Sequence, residues 1–286
     1  MDRKEALKTL GASAMGLAIP ADLTIRENAF TKLKGNIHHS ACYWCYNSMK
    51  LDDFCREARK VGLVGVDLLR PEQWETAFNH GLTCTMATIE EANIESGFNR
   101  IDNHDHLVNA YSEVIPKLAD AGLKNVIVFS GNRKGMDDEM GSDNCARGLE
   151  PLVKVAERYN IVIQMELLNS KVNHPDYQCD HTLWGVELCK KVNSPNFKLL
   201  YDIYHMQIME GDIIATIREY HPYIGHYHTG GVPGRHEIDD TQELYYPAIM
   251  KAILETGYDG YVAQEFIPAR ENVIGSLKQG VGICDV

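Results

Sequence analysis

Four residues with metal-binding side chains each stand near the end of an apolar run in the second half of the sequence. They are Glu166 in "IVIQMELLN", Asp202 in "FKLLYDIYH", His228 in "IGHYHTGG" and Glu265 in "GYVAQEFIP". Their separations are 36, 26 and 37 residues, and each is about the length of one strand with its following helix. This spacing predicts that four successive structural units contribute one side chain each to a common site.

A divalent cation explains this combination of side chains. Three buried carboxylates that lie together repel one another unless a cation lies among them. Any one of the four residues alone is more commonly a core residue in an ion pair, but the coincidence across four runs favours a metal. We therefore predict that Glu166, Asp202, His228 and Glu265 bind one ion. Oxygen ligands with a single imidazole suit Mn²⁺ or Mg²⁺, with Co²⁺ and Zn²⁺ as the alternatives.

The elements that position these residues follow from the alternation of apolar and amphipathic segments between Gly35 and Cys284. Besides the four runs above, which are taken as strands throughout, the predicted strands are "NIHHSACYW", "GVDLLR", "LTCTMAT" and "NVIVFSG". The predicted helices are "LDDFCREARKVG", "HLVNAYSEVIPKLADAG", "CARGLEPLVKVAERYN", "TLWGVELCKKV" and "YPAIMKAILETG", several of which end on Gly or Asn. "GNRKGMDDEMGSD" is predicted to be a long loop. Eight such units predict a single-domain α/β fold, the (β/α)8 TIM barrel, with its active site at the C-terminal ends of the strands.

The first residues are treated separately, as an N-terminal segment at 1–30 before a catalytic barrel at 31–286. "MDRKEALKTLGASAMGLAIP" resembles a degraded twin-arginine export signal without a clear cleavage motif. An amphipathic N-terminal helix is the alternative. Cytoplasmic and periplasmic locations therefore both stay open.

Composition excludes several classes of partner. The formal net charge of −12 argues against binding to nucleic acid. No apolar run reaches the roughly 18 residues of a membrane helix, so no membrane partner is predicted. The eight cysteines are scattered, and we predict that they are packing thiols. Barrels of this kind often form homo-oligomers, but no feature of this sequence predicts one.

The strand-end motifs resemble those of the xylose isomerase-like barrels, which include hydroxypyruvate isomerases, ketose 3-epimerases and endonuclease IV. Glu166, "DIYH", "HYH" and Glu265 carry a resemblance that extends over about residues 35–275 and is weak over the first three strands. "YDIYHMQIMEGD" and "VPGRHE" are most similar to the hydroxypyruvate isomerases. The resemblance implies the same four metal ligands, and it implies that His205 and Arg235 bind substrate.

Two positions depart from the hydroxypyruvate isomerases. Those enzymes tend to have an amide where this sequence has His228, whereas the sugar epimerases have His. Tyr245 in "ELYY" also stands where Asn is usual. Both departures leave the exact substrate open.

A metal ringed by carboxylates indicates enediolate chemistry on a small hydroxy-carbonyl substrate, such as hydroxypyruvate or a related keto acid or sugar. Glu166 and Glu265 are predicted to be the acid and base that move the proton. His205 is predicted to hydrogen-bond a substrate oxygen, with orientation of Asp202 as the alternative role.

Other polar residues are predicted to surround the substrate. Arg235 is predicted to clamp a carboxylate or hydroxyl group with its guanidinium fork, unless Glu237 pairs with it. Lys171 is predicted to add a second cation. Residues near the ends of the first two strands and in the loop after the fifth are predicted to border the pocket: His38, Trp44, Arg70, His174 and Asp180.

Three alternatives compete with this interpretation. A ketose 3-epimerase, or a lyase or epimerase acting on keto sugars, would use the same metal and two bases. A catalytically inactive sugar-binding barrel would keep the site but not the chemistry. The family also includes endonuclease IV, whose three-zinc site implies further histidines on the third and fourth strands; here those strands end in "CTMAT" and "VFSGN".

Overall fold

Eight parallel strands close almost completely into a barrel in the computed structural model, which describes residues 32–286. The strands are β1 (His38–Ala41), β2 (Gly65–Leu69), β3 (Thr83–Ala87), β4 (Asn125–Val128), β5 (Val162–Glu166), β6 (Phe197–Asp202), β7 (Ile224–Thr229) and β8 (Tyr261–Gln264). Each strand from β2 to β8 pairs with its sequence neighbour, and β1 pairs with β8. Cys42 and Asp67 form a parallel bridge across the remaining gap between β1 and β2. The predicted single-domain (β/α)8 TIM barrel is confirmed, while the predicted export signal lies outside the described residues.

Nine α-helices surround the barrel within residues 32–286. They are α1 (Leu51–Val61), α2 (Trp74–Asn79), α3 (His104–Asp120), α4 (Asp138–Tyr159), α5 (Thr182–Val192), α6 (Ile203–Met209), α7 (Ile213–Tyr220), α8 (Tyr246–Glu255) and α9 (Val273–Cys284). Left-handed residues end α1 at Gly62 and α4 at Asn160, as the sequence predicted, and Asn193 ends α5 in the same way. Short 3₁₀ turns lie at Tyr43–Tyr46, Pro71–Gln73, Ile101–Asn103 and His221–Tyr223.

The prediction that a strand extends to His205 is wrong, because β6 ends at Asp202 and α6 begins at the next residue. Asp202 is the N-cap of α6, and its Oδ1 accepts a hydrogen bond from the His205 backbone N–H at 3.2 Å. A side-chain oxygen at this position satisfies a backbone donor that the first turn of a helix leaves without a partner. The three-residue spacing between Asp202 and His205 is therefore the geometry of a helix cap.

The predicted loop "GNRKGMDDEMGSD" is helical in its second half. Asp137 caps α4, its side chain accepting a hydrogen bond from Met140 N at 2.8 Å. Asp138 and Glu139 lie in the first turn, where the helix dipole favours negative charge. These three acidic residues, which read as loop composition in the sequence, form a helix start.

The apolar core lies largely between the strands and the helices around them. Gly185 of α5, for example, lets the helix approach β6 so closely that a Cβ there would lie 2.8 Å from Leu199 Cδ2. All eight cysteines are free thiols, and seven of them are buried. Among the described helices, none combines the length and hydrophobicity that a membrane-spanning segment requires.

Candidate metal centre

The four sequence-predicted ligands converge at the C-terminal end of the barrel. Glu166 and Asp202 are the last residues of β5 and β6, His228 lies in β7, and Glu265 directly follows β8. All four are buried, and one ligand atom from each lies within 4.8 Å of the others. The structure therefore brings the four side chains into one cluster, which we call the four-ligand cluster.

The strand register explains this convergence. Asp202 is paired with His228 in the parallel ladder between β6 and β7, and the Glu265 N–H donates to Thr229 O at 3.0 Å. Alternate side chains of a strand point to the same face, so His226 and His228 both point into the barrel. Side chains at the ends of four adjacent strands thus meet above the barrel interior.

Arg235 and His228 supply the positive partners of this cluster. Arg235 Nη2 donates to Glu265 Oε2 at 2.6 Å and to Asp202 Oδ2 at 3.3 Å. His228 Nδ1 lies 2.7 Å from Glu265 Oε2 and 3.4 Å from Glu166 Oε1. Trp44 Nε1 donates to the second oxygen of Glu265 at 2.7 Å. Glu265 is consequently the best compensated of the three carboxylates.

The pKa values of the carboxylates follow this unequal compensation. Burial opposes ionisation of Glu265, but His228 and Arg235 outweigh burial and hold the pKa of Glu265 well below its usual range. Burial raises the pKa of Asp202 to about 8, where Arg235 opposes the shift and Glu265 adds to it. Burial also raises the pKa of Glu166. Two of the three carboxylates therefore lack enough positive charge around them.

The residues present fit a divalent ion. Glu166 Oε1 is buried without a hydrogen-bond partner in the described part of the chain, although such atoms are normally satisfied. Ligands about 2.0–2.4 Å from a common ion lie no more than about 4.8 Å apart, which matches the cluster. Three carboxylates and one imidazole are a donor set for Mn²⁺, Mg²⁺, Co²⁺ or Zn²⁺.

His205 presents one ring nitrogen to the same cluster. Its Nδ1 accepts hydrogen bonds from Asn169, from the backbone N–H at 3.1 Å and from Nδ2 at 2.6 Å. Burial, with a smaller effect of Arg235, lowers the pKa of His205 well below its usual value, so the ring is neutral and its proton lies on Nε2. That buried Nε2 has no hydrogen-bond partner within residues 32–286 and lies 3.6 Å from Asp202 Oδ2. His205 is thus a fixed hydrogen-bond donor at the site.

The loop after β7 holds Arg235 over the cluster. Its guanidinium lies 5.2 Å from the centre of the Trp44 ring and 5.4 Å from that of Tyr204, distances at which cations are attracted to aromatic faces. Its backbone has φ 59°, an unfavourable conformation for a residue other than glycine. Ile267 N donates to Arg235 O at 2.6 Å, which ties this strained turn to the chain after β8.

A cavity of about 430 Å³ opens over the cluster. Its lining includes Glu166, Glu265 and Arg235, together with His174 from the loop after β5. The segments that follow the first four strands supply most of the remaining lining, with Trp44, Arg70, Ile94 and Phe129 among them. We call these the first-half walls.

Three other residues that were predicted to bind substrate or border the pocket do not line the cavity. Lys171 Nζ donates to the carbonyl oxygens of Ile208 and Met209 at 3.1 and 2.8 Å, at the end of α6. His38 is exposed at the opposite, N-terminal end of β1, where Nδ1 lies 2.9 Å from Asp259 O. Asp180 binds Arg133, with 2.9 Å between Oδ1 and Nη2.

Glu237 does not pair with Arg235. Its carboxylate accepts hydrogen bonds from the backbone N–H groups of Ala269 and Arg270, and from Ser276 Oγ at 2.7 Å. These contacts fasten the loop after β7 to the segment that follows β8.

Two residues of the site escaped the sequence analysis. Asn169, which fixes His205, had no distinguishing feature within "ELLNS". Asp67 lies fully buried beneath His228. A carboxylate inside the apolar strand "GVDLLR" was the available signal, since a buried charge requires partners.

Comparison of the sequence with models of known protein families gives a match over most of the chain. Residues 71–280 match the sequence model of a family described as "Xylose isomerase-like TIM barrel". The matched range contains all four residues of the cluster, together with His205 and Arg235.

Relatives and solved structures are similar over different shares of the chain. A putative hydroxypyruvate isomerase of Xenopus laevis is 26% identical over 218 residues, which are 72% of this chain and 79% of that protein. The 2-oxo-tetronate isomerase of Cupriavidus necator is 34% identical over 113 residues, which are 40% of this chain and 43% of that protein. The crystal structure of an AP endonuclease of family 2 from Brucella melitensis has a TM-score of 0.76 at 24% identity, covering 86% of this chain and 96% of that one. At that identity the structural likeness shows a shared fold alone.

Proposed function

Because this chain belongs to the xylose isomerase-like TIM barrels, we propose that it is a divalent-metal-dependent isomerase of a small hydroxy-carbonyl substrate. Hydroxypyruvate and related keto acids or sugars are the substrate class. The observation that carries the proposal is the four-ligand cluster, in which Glu166 Oε1 has no hydrogen-bond partner in the described part of the chain and lies 3.4 Å from His228 Nδ1. The names of the two isomerase relatives support the reaction type.

Glu166, Asp202, His228 and Glu265 would hold the ion, with Mn²⁺ or Mg²⁺ as the first choice and Co²⁺ or Zn²⁺ as alternatives. When bound, the ion supplies Lewis acidity toward adjacent carbonyl and hydroxyl oxygens, which stabilises the charge of an enediolate.

Glu166 and Glu265 are the proposed proton-transfer residues. They reach the cavity from β5 and from the end of β8, with β6 and β7 between them, so they approach a bound substrate from different directions. Hydrogen bonds from Trp44 and Arg235 fix the orientation of Glu265. The isomerisation is complete when one carboxylate has removed a proton from one carbon, a proton has been returned to the next carbon, and the hydroxyl proton has passed to the former carbonyl oxygen.

His205 and Arg235 are the proposed substrate-orienting residues. The Nε2–H of His205 has no partner among the described residues and would donate to a substrate oxygen. Arg235 lines the cavity and would bind a substrate carboxylate, because a guanidinium can donate two parallel hydrogen bonds to such a group.

The test begins with protein freed of metal by chelation. Small keto acids, ketoses and 3-keto sugars are assayed with Mn²⁺, Mg²⁺ and Co²⁺, and exchange of substrate C–H hydrogen with D₂O is followed in parallel. Metal-dependent isomerisation of a keto acid with exchange supports the proposal. Tight binding of a ketose without exchange would identify a sugar-binding barrel instead.

A ketose 3-epimerase, or a lyase or epimerase of keto sugars, is the second candidate. Two observations favour it: His228 stands where hydroxypyruvate isomerases tend to have an amide, and the cavity of about 430 Å³ lies in the size range that admits ligands larger than a three-carbon acid. The same assay separates the candidates, because inversion of a ketose centre and isomerisation of hydroxypyruvate give different products.

A further inference from the structure

Asp67 forms a buried hydrogen-bonded centre inside the barrel, beneath the four-ligand cluster. Oδ1 accepts hydrogen bonds from the hydroxyls of Ser40 and Thr85. Oδ2 lies 2.6 Å from His226 Nε2 and 3.2 Å from His228 Nε2. The two carboxylate oxygens therefore face polar groups from β1, β3 and β7.

An irregularity in β2 accompanies this arrangement. The register between β2 and β3 shifts on both sides of Asp67, and the next residue, Leu68, has φ 60°. Such a backbone conformation is unfavourable for leucine, and conformations of this kind persist where surrounding structure enforces them. The shift accompanies the contact of Asp67 with Ser40, Thr85 and both histidines inside the barrel, while Leu68 lines the cavity.

The contact to Asp67 has a consequence for the two nitrogens of His228. A carboxylate oxygen that accepts from His228 requires a proton on Nε2, so Nδ1 is the nitrogen that gives up its proton when the ring binds an ion. Nδ1 lies 2.7 Å from Glu265 Oε2 and 3.4 Å from Glu166 Oε1, on the side of the four-ligand cluster.

A second ion between Cys42, Asp67 and His228 is the other way to interpret these contacts, since their ligand atoms also lie within 4.8 Å of one another. The hydrogen bonding disfavours it. Both oxygens of Asp67 already have partners, whereas Glu166 Oε1 in the four-ligand cluster has none within the described residues. The lower group is held together by hydrogen bonds to both oxygens of Asp67.

We propose that Asp67 is a positioning residue that keeps a proton on Nε2 of His228, so that Nδ1 is the nitrogen that binds the ion. This inference rests on the proposed metal-dependent function. Carboxylate partners of metal-bound histidines are known to act in this way, and their loss typically lowers metal affinity by about 10–100-fold.

A double-mutant cycle tests the proposal through Mn²⁺ affinity, measured by calorimetry on chelated protein. Asp67→Asn should weaken Mn²⁺ binding by about 10–100-fold when His228 is present. In a His228→Gln background the same substitution should change the affinity little, because an amide oxygen can bind metal without a carboxylate partner. An equal loss in both backgrounds would overturn the proposal, since Asp67 would then act on the fold in general.

Ser40→Ala is the matched control. It removes a hydroxyl that donates to Asp67 but leaves the carboxylate and its contact with His228. It should lower the free energy of unfolding without changing Mn²⁺ affinity. A loss of affinity equal to that of Asp67→Asn would assign the effect to disturbance of the buried network.

A second readout requires no metal and no activity. Proton–nitrogen spectra of metal-free wild-type protein should contain an exchange-protected Nε2–H of His228, assigned by its disappearance in His228→Gln. A wild-type His228 protonated only at Nδ1 would overturn the proposal, and this measurement decides the matter even if Asp67→Asn does not fold. If wild-type protein shows this Nε2–H yet binds no Mn²⁺, the proposed function fails and the orientation of His228 by Asp67 stands.

Discussion

Removing the charge of Glu166 should affect the metal-free and metal-bound protein in opposite directions. The Glu166 side chain is buried, its Oε1 has no hydrogen-bond partner among the described residues, and burial raises its pKa. Glu166→Gln keeps the shape and removes a charge that the metal-free site compensates poorly. We therefore expect the metal-free variant to be at least as stable as the metal-free wild type.

The metal-bound state should lose stability. Loss of a ligand should weaken Mn²⁺ binding by at least the roughly 10–100-fold that follows loss of a ligand's outer partner, or about 1.4–2.7 kcal/mol. For a chain of this size, that difference lowers the Mn²⁺-induced increase in Tm by about 2–5 °C. Thermal unfolding in excess chelator and in saturating Mn²⁺ measures both effects, and turnover should be abolished in parallel.

Glu237→Gln is the matched control for this experiment. Glu237 is also a buried glutamate, but backbone N–H groups and Ser276 satisfy its carboxylate outside the cluster. Loss of hydrogen bonds to a charged group should lower stability by about 1.5–3 kcal/mol both with and without metal. The reasoning is refuted if Glu166→Gln behaves like this control, or if Mn²⁺ stabilises Glu166→Gln as strongly as the wild type.

Three further outcomes are expected. Glu265→Gln should abolish turnover and leave the circular dichroism spectrum unchanged; full activity would remove Glu265 from the mechanism. Arg235→Ala should lower kcat/KM for acidic substrates by at least about tenfold more than for neutral ones, consistent with a lost charged hydrogen bond of about 1.5–3 kcal/mol. Lys171→Ala is the control and should leave that ratio unchanged, because the Lys171 ammonium binds backbone oxygens of α6. An equal loss on both substrate classes in Arg235→Ala would count against a carboxylate clamp. Burial opposes ionisation of Glu237, but hydrogen bonds from Ser276 and the backbone lower its pKa. Its stabilising contribution is therefore complete above the ordinary glutamate pKa of about 4.3 and is lost as pH falls through the lowered value. In urea unfolding between pH 3 and 6, the free energy of unfolding of Glu237→Gln should fall less steeply toward acid pH than that of the wild type, and identical profiles would refute this assignment.

The barrel and its strand-end residues were predictable from the sequence because both depend on local pattern. Apolar runs at regular spacing predict parallel strands, and parallel strands bring their C-terminal residues to one edge. Glu166, Asp202, His228 and Glu265 each occupy such a position. The bounds of individual elements were less predictable: capping by Asp202 and Asp137 begins helices inside segments that read as strand and loop.

The rest of the site depends on contacts between residues distant in sequence. The sequence marks Asp67 as a charge in an apolar strand, but its role is visible only through its contacts with Ser40, Thr85 and His226, which come from three other strands. Lys171 was placed correctly just beyond β5, but the sequence did not reveal that its ammonium would reach the end of α6. Periodicity locates a residue on an element, whereas the direction of a long side chain is decided by the neighbours it meets.

The first-half walls and the four-ligand cluster occupy separate halves of the chain. The first-half walls all precede the first ligand in the sequence: Trp44, Arg70, Ile94 and Phe129. The residues that would contact the end of a substrate distant from the ion therefore come from other segments than the groups proposed to move its proton. Mutations of Arg70, Ile94 and Phe129 in the earlier loops are expected to alter which molecules fit and to leave the proposed proton-transfer residues in place, whereas Trp44 also orients Glu265. Divergence among related barrels, and directed evolution of this one, has a natural starting point in those loops.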